Sequence, residues 1–277
     1  MLAISSAGRA FGPECGYMHP GDIQWSFREV VQPPERVQLW ERGGRAVGFT
    51  IIDPTGYVAA QVAPAERSSR FALLDSAEGA LPATVREVEL SAYDSDPDLR
   101  SWLREYGYKA TGSSSLELVL ELSREPSPVT PPAGFMLRQL EAAEDEAYAA
   151  LHRDAWSTWG PSSYTSEVHG RLVGMPGFRR DFIRVAVAPD GTLAASCNGW
   201  FDPLTKTVLI EPLGTRQRFR RLGLGRSVVL DLVRHSWESG ALAIFVRGVD
   251  VNEAAVALYT SSGFSAAQVL REYGRPR

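Results

Sequence analysis

Hydrophobic and polar positions change period repeatedly along the second half of the chain. Residues 135–138 read as a strand. Residues 141–155, rich in Ala, Glu and Leu, read as a helix, with a poorer one at 165–173. Residues 182–187 and 193–200 flank the turn Pro189-Asp190-Gly191 and predict a hairpin. A further strand covers 207–213, beyond Asp202-Pro203. After a glycine-bearing loop, Val228, Val229, Leu232 and Val233 recur on one face of a helix at 225–239. Residues 241–249 predict a strand and 253–262 a helix that stops at Gly263-Phe264. An antiparallel beginning followed by strand–helix–strand–helix predicts an α/β fold on a mixed sheet.

The first half repeats this order in reduced form. Residues 37–40 and 46–52 read as a hairpin, 57–62 and 85–90 as later strands, and 116–122 as another. Leu103-Arg-Glu-Tyr-Gly107-Tyr108 echoes the helix ending at 258–264. The segment 1–17 reads as neither a clear strand nor a long helix. Between the halves, SREPSPVTPPAG (123–134) carries Pro126, Pro128, Pro131 and Pro132, which continue neither a helix nor a central strand. The expected organisation is a domain at 1–124, a linker at 125–134 and a second domain at 135–277.

Composition narrows the function. With 277 residues, two domains are the prior, and 44% hydrophobic residues provide for two cores. A net charge of −4 argues against a general nucleic-acid binder. Cys15 and Cys197 are too few for a disulfide framework, and His19, His152, His169 and His235 show no paired ligand spacing, so no metal is expected. No apolar run reaches the roughly 20 residues of a membrane span, and the first residues do not resemble a signal peptide, so a cytoplasmic protein is expected. Neither a GxSxG elbow nor an HExxH motif occurs, which weakens a hydrolase reading.

The densest chemical signal is Thr215-Arg-Gln-Arg-Phe-Arg-Arg-Leu-Gly-Leu-Gly-Arg226. Five arginines (216, 218, 220, 221 and 226) crowd one loop of an acidic chain. Gly223 and Gly225 free the backbone where strand passes into helix, so successive N–H groups and the helix dipole favour a pyrophosphate. A Walker loop is excluded because no lysine follows the glycines. A dinucleotide fingerprint is excluded because Val228 stands at its third glycine.

Arg220-x-x-Gly223-x-Gly225, opening a helix after a strand, resembles the acetyl-CoA loop of the GNAT-type N-acetyltransferases. Asn252-Glu-Ala-Ala255-Val-Ala-Leu258-Tyr259 through Gly263-Phe264 resembles that family's second signature, and the likeness covers about 135–277. Glu211-Pro-Leu-Gly-Thr followed by Arg-Arg-Leu-Gly-Leu-Gly is similar to bacterial tandem-domain members, including the mycothiol synthase-like group. The resemblance implies tandem acyl-CoA N-acyltransferase domains that use acetyl-CoA and release coenzyme A. It places the cofactor at Leu213, Gly214, Thr215, Arg220, Arg221, Leu222, Gly223, Leu224, Gly225, Arg226, Asn252 and Tyr259.

Pro212 supports a cofactor wedge without the resemblance. It cannot donate to a ladder, so its strand should part from 241–249 there. Tyr259 is the candidate acid for the departing thiolate. Glu211, on alternation sharing a face with Leu209 and Leu213, is the candidate base. Asp202 is a reserve base, and His152, Trp156 and Tyr164 fall where similar proteins cover the acceptor cleft.

Aligning 62–72 on 215–225 puts Arg70 and Ala72 at the glycine positions, so a side chain stands where phosphate should approach. The first half is therefore expected to be a degenerate second copy, with an unrelated α/β domain as the alternative. It would complete the acceptor cleft or replace a dimer partner. The leading function is acetyl transfer to the primary amine of a small molecule or peptide, in a monomer with pseudo-dimeric domains or a homodimer. A non-catalytic acyl-CoA sensor is the rival reading, and an arginine-cluster nucleic-acid module a remoter one.

Overall fold

The computed structural model describes residues 1–12, 15–28, 36–158, 160–248 and 252–277. In the first half, α1 (Leu2–Phe11) and α2 (Pro20–Ser26) precede β1 (Val37–Arg42), β2 (Arg45–Ile52) and β3 (Val58–Val62). Next come α3 (Arg70–Ala80), β4 (Glu87–Tyr93), α4 (Pro97–Glu105) and β5 (Lys109–Glu121). The second half begins with β6 (Met136–Gln139), α5 (Asp145–Trp156), α6 (Ser166–Val173), β7 (Ile183–Val187), β8 (Leu193–Asp202) and β9 (Thr207–Thr215). It ends with α7 (Leu224–Glu238), β10 (Ala243–Val246), α8 (Glu253–Ser261) and β11 (Ser265–Pro276). Val249, the expected end of the strand now seen as β10, lies outside the described residues.

β1, β2 and β3 form a three-stranded antiparallel sheet. The other strands form one mixed sheet in the order β4-β11-β5-β10-β9-β8-β7-β6. β5 lies between the last two strands of the chain, antiparallel to β10 from Ala243↔Glu121 to Val246↔Leu118 and to β11 from Ser265↔Val119 to Gly274↔Lys109. β11 in turn pairs with β4, Tyr273 opposite Leu90. Each half thus completes the sheet of the other.

Composition explains the position of β5. Leu116-Glu-Leu-Val-Leu-Glu-Leu122 presents apolar residues densely enough for a strand enclosed by neighbours, and Leu118 and Leu122 are buried. β11 was not foreseen. Its Ser265-Ala-Ala-Gln start and the charged Arg271-Glu272 lack strand periodicity, and its pairing partners come from the other half of the sequence.

The helices cover the large sheet on both faces. α7 and α8 bury Val228, Val229, Leu232 and Tyr259 against Val208, Ile210 and Ile244. On the opposite face Tyr148, Leu151 and Leu172 of α5 and α6 pack on Val185, Trp200 and Leu209. A third core joins Leu74, Trp102 and Leu103 of α3 and α4 to Tyr273 of β11. The initial segment forms two helices. The second has Pro20 in its first turn and a capping box between His19 and Asp22.

α2 crosses from the first half onto β8 and β9. Gly21 permits this, because a Cβ there would fall 2.4 Å from Cβ of Trp200. Gln24 Oε1 accepts from the Gly177 amide at 2.8 Å. No helix among the described residues is long and apolar enough to cross a membrane.

Candidate active site

β9 and β10 run parallel and pair from Ala243↔Thr207 to Phe245↔Leu209, and no further. The strands part where Pro212 predicts it. Against β8 the register slips between Gly199↔Ile210 and Cys197↔Leu213, so Glu211 and Pro212 together stand opposite Asn198. This bulge corrects the simple alternation. Leu209 packs with Tyr148 and Trp200, whereas Leu213 packs on the other face with the core that holds Val208 and Ile210. The Glu211 carbonyl, released from the ladder, accepts from Asn198 Nδ2 at 3.0 Å and Trp200 Nε1 at 2.7 Å.

A cleft of about 710 Å³ opens from this wedge. Leu213, Gly214 and Thr215 of β9 form one wall, Arg220, Arg221 and Gly225 the next, and Asn252, Ala255 and Leu258 of α8 a third. Trp156 and Thr158 close it from the α5 side. Gly223 begins α7 at φ +79°, in the left-handed region that glycine occupies at low cost. No side chain caps this helix, so its first amides and its dipole face outward beside the cleft. A Cβ on Gly225 would sit 3.0 Å from Leu258 Cδ1 and 3.3 Å from Thr215 Oγ1. Asn252 Oδ1 caps α8 by accepting from the Ala255 amide at 3.2 Å.

The five loop arginines separate in role. Arg216 donates to the Leu193 carbonyl at 2.8 Å and Arg226 to the Ser261 carbonyl at 3.1 Å. Arg220 donates to the Ala155 carbonyl at 2.8 Å, tying the loop to α5. Arg218 faces Asp190 on the surface at 3.6 Å. Arg221 lines the cleft with no ion pair among the described residues. Leu222 is exposed and Leu224 is buried in the core under the helix, so neither lines the cleft.

Glu211 sits at the bulge, outside the cleft lining. Burial, with Asp22 nearby, pushes its carboxyl up to about 7, opposed by Arg28 and Arg247. Tyr259 is buried in contact with Phe264, ring centroids 5.4 Å apart. Burial first, then Cys197 and Glu211, raises its hydroxyl well above the usual phenol range.

An aromatic stack lines the α5 side. His152 lies between Trp156 at 4.3 Å and Tyr164 at 4.2 Å, and Trp25 of α2 stacks on Tyr164 at 5.8 Å. Burial pushes His152 down to about 4, so it is neutral at pH 7. The structure brings His152, Trp156 and Tyr164 together, but not Asp202. Asp202 accepts from the Leu204 amide at 3.1 Å and the Thr205 hydroxyl at 2.7 Å in the β8–β9 turn, at the opposite end of β9 from Thr215.

Sequence reasoning did not find Asp22, Trp25, Arg28 or Arg247 near the site. No local motif marks them, and Arg247 meets Asp22 across 225 positions. Among the described residues no three His, Cys, Asp or Glu side chains are placed to hold a metal ion.

Residues 135–264 match the model of the acetyltransferase (GNAT) family. Over this segment the chain is similar to the GNAT acetyltransferases, a family that transfers acyl groups from acyl-CoA. No curated protein matches the sequence significantly.

The solved structures share the fold across both halves. A GCN5-related N-acetyltransferase from Sphaerobacter thermophilus is 16% identical at TM-score 0.64, covering 100% of this chain and 93% of its own. A tandem GNAT protein from the clavulanic acid biosynthesis pathway is 18% identical at TM-score 0.65, covering 99% and 93%. A GCN5-related N-acetyltransferase from Kribbella flavida is 18% identical at TM-score 0.55, covering 87% and 90%. The fold shared with these structures therefore extends over both halves of the chain.

Proposed function

We propose that the protein transfers the acetyl group of acetyl-CoA to a primary amine of a small molecule or peptide by direct attack on the thioester. The observation that carries this reading is the uncapped start of α7 with Arg221 beside it, opening on a wedge that ends at Glu211. The residues fit the cofactor: Gly223 and Gly225 leave the backbone bare, and Arg221, Thr215 and Asn252 supply polar groups around the cleft. When bound, acetyl-CoA supplies the activated acyl group.

Each proposed role follows from the environment of the residue. Glu211, with a carboxyl near 7, accepts the ammonium proton through water at neutral pH. Tyr259 keeps its proton across the working range and donates it to the departing thiolate. The backbone at Leu213, on the splayed strand, polarises the acyl oxygen. His152, Trp156, Tyr164 and Trp25 form the acceptor wall.

In this reading residues 1–124 are a degenerate copy that completes the cleft, 125–134 a linker and 135–277 the catalytic domain. The order of elements from β1 to β5 repeats that from β7 to β11, which supports the duplication. A chain with pseudo-dimeric halves of the mycothiol synthase-like tandem type follows, acting as a monomer in the cytoplasm. Cys15 and Cys197 are both buried and form no disulfide with each other, which suits a reducing compartment.

Thiol release from acetyl-CoA across an amine panel tests the activity. Gly223→Glu, which puts a carboxylate at the phosphate-binding end, is expected to weaken acetyl-CoA binding at least 100-fold. Full-strength binding by that variant would remove the site assignment, and tight binding with no turnover on any amine would replace the enzyme with a sensor.

A further inference from the structure

The first half contains a second wedge. Tyr57, just before β3, bridges Glu89 of β4 in parallel, the two strands share no further pairing among the described residues, and a cavity of about 360 Å³ lies against both. A 3-10 turn (Pro64–Ser69) and α3 follow β3 as a 3-10 turn (Gln217–Phe219) and α7 follow β9. The helix starts differ. Arg70 occupies the first position of α3 and donates to both Asp96 oxygens at 2.6 and 3.2 Å, and Tyr17 donates to the same carboxylate at 2.8 Å. These bonds close the end at which a pyrophosphate would meet a helix N-terminus. The remaining space is about half the volume of the acetyl-CoA cleft, and still within the usual size range of small-molecule sites.

Ile51, Val58, Leu74, Leu90, Leu99 and Leu270 give this cavity most of an apolar wall, and Asp53, Arg70 and Ser91 also line it. Asp22 and Arg247 also line it, joined by a bond from Arg247 Nη2 to Asp22 Oδ2 at 2.5 Å, while Arg247 Nε pairs with Glu117 at 3.1 Å. A second bond, from Arg247 Nη1 to the Tyr17 carbonyl at 2.7 Å, fixes the guanidinium. An anion and a cation held side by side are complementary to a ligand head that carries both charges.

We infer that this cavity is a second ligand site, separate from the acetyl-CoA cleft, that takes a free α-amino acid with a bulky apolar side chain. The ammonium faces Asp22, the carboxylate faces Arg247, and the side chain lies among the leucines. Asp22 and Arg247 also act on the Glu211 carboxyl, so occupancy is coupled to the proposed base.

Isothermal titration of the full chain with L-phenylalanine, without acetyl-CoA, tests the inference. Phenethylamine and 3-phenylpropionate serve as analogues that each lack one charge. Phenylalanine is expected to bind at least tenfold tighter than either. Ala60→Trp places an indole in the cavity and should weaken phenylalanine at least tenfold. Leu270→Trp is the second filling variant, and thermal unfolding reports whether each variant is folded. Gly223→Glu, at the other cleft, should leave phenylalanine binding unchanged whether or not the chain turns over acetyl-CoA. Absence of binding to the folded wild-type chain overturns the inference. So do equal binding of either analogue, undiminished binding by a folded tryptophan variant, and loss of binding in Gly223→Glu.

Discussion

Replacing Glu211 by glutamine removes a titration without changing the shape of the side chain. In the unfolded chain this carboxyl titrates near its ordinary 4.5, and in the fold at about 7. The folded value is the higher one, so folding favours the protonated form and stability falls as pH rises through that interval. The difference between the two values corresponds to about 3 kcal/mol once Glu211 is fully ionised. Roughly 2–3 kcal/mol of that develops between about pH 5 and pH 8.

E211Q does not carry this penalty. Its advantage over the wild type should therefore grow with pH, reaching roughly 5–10 °C more in unfolding temperature at about pH 8 than at about pH 5. The same substitution removes the proposed base. Thiol-release assays should show kcat/KM of the wild type rising through a midpoint near 7. In E211Q that rise should disappear and the rate should fall by roughly 10²–10⁴. A stability difference that stays flat with pH would refute the assigned burial of charge. A pH limb that survives in E211Q would refute the role as base.

Three further outcomes follow from the same geometry. Tyr259→Phe keeps the ring beside Phe264 and loses only the hydroxyl, so kcat should fall by roughly 10²-fold with little change in unfolding temperature, and an unchanged kcat would end the assignment as acid. Glu117→Leu takes away the carboxylate that pairs with Arg247 at 3.1 Å and Arg9 at 3.5 Å, and urea unfolding should show a loss of about 3–5 kcal/mol. A loss below about 1 kcal/mol would show that those arginines find water instead. Separately expressed 1–124 and 135–277 should each aggregate, because β5, β10 and β11 all lose pairing partners, and co-expression should restore a soluble complex; a soluble, monomeric 135–277 fragment would contradict the shared sheet.

The loop that opens α7 and the cap of α8 were legible because their physics is local. Gly223 and Gly225 lie two residues apart at a helix start, Asn252 caps the next helix, and Pro212 breaks a ladder wherever it is placed. The surroundings of Glu211 were not legible. Glu211 and Pro212 together oppose Asn198, which reverses the face of Leu213, and an alternation rule has no means of counting an inserted residue. The arginine cluster misled in part. Its density is visible in the sequence, yet Arg216, Arg220 and Arg226 are bonded to carbonyls of other elements and hold the loop.

The sequence by itself determined the type and order of most elements, the proline-rich stretch between the halves and the arginine- and glycine-bearing loop that opens α7. These depend on periodicity, turn chemistry and capping within a few residues. The tertiary structure alone decided that β5 stands between β10 and β11, that α2 packs on β8 and β9, and that Asp22 and Arg247 come near enough to act on the Glu211 carboxyl. Strand order and the surroundings of a half-buried carboxylate are set by which distant apolar faces bury one another. That contest is among whole elements, and no window of sequence contains it.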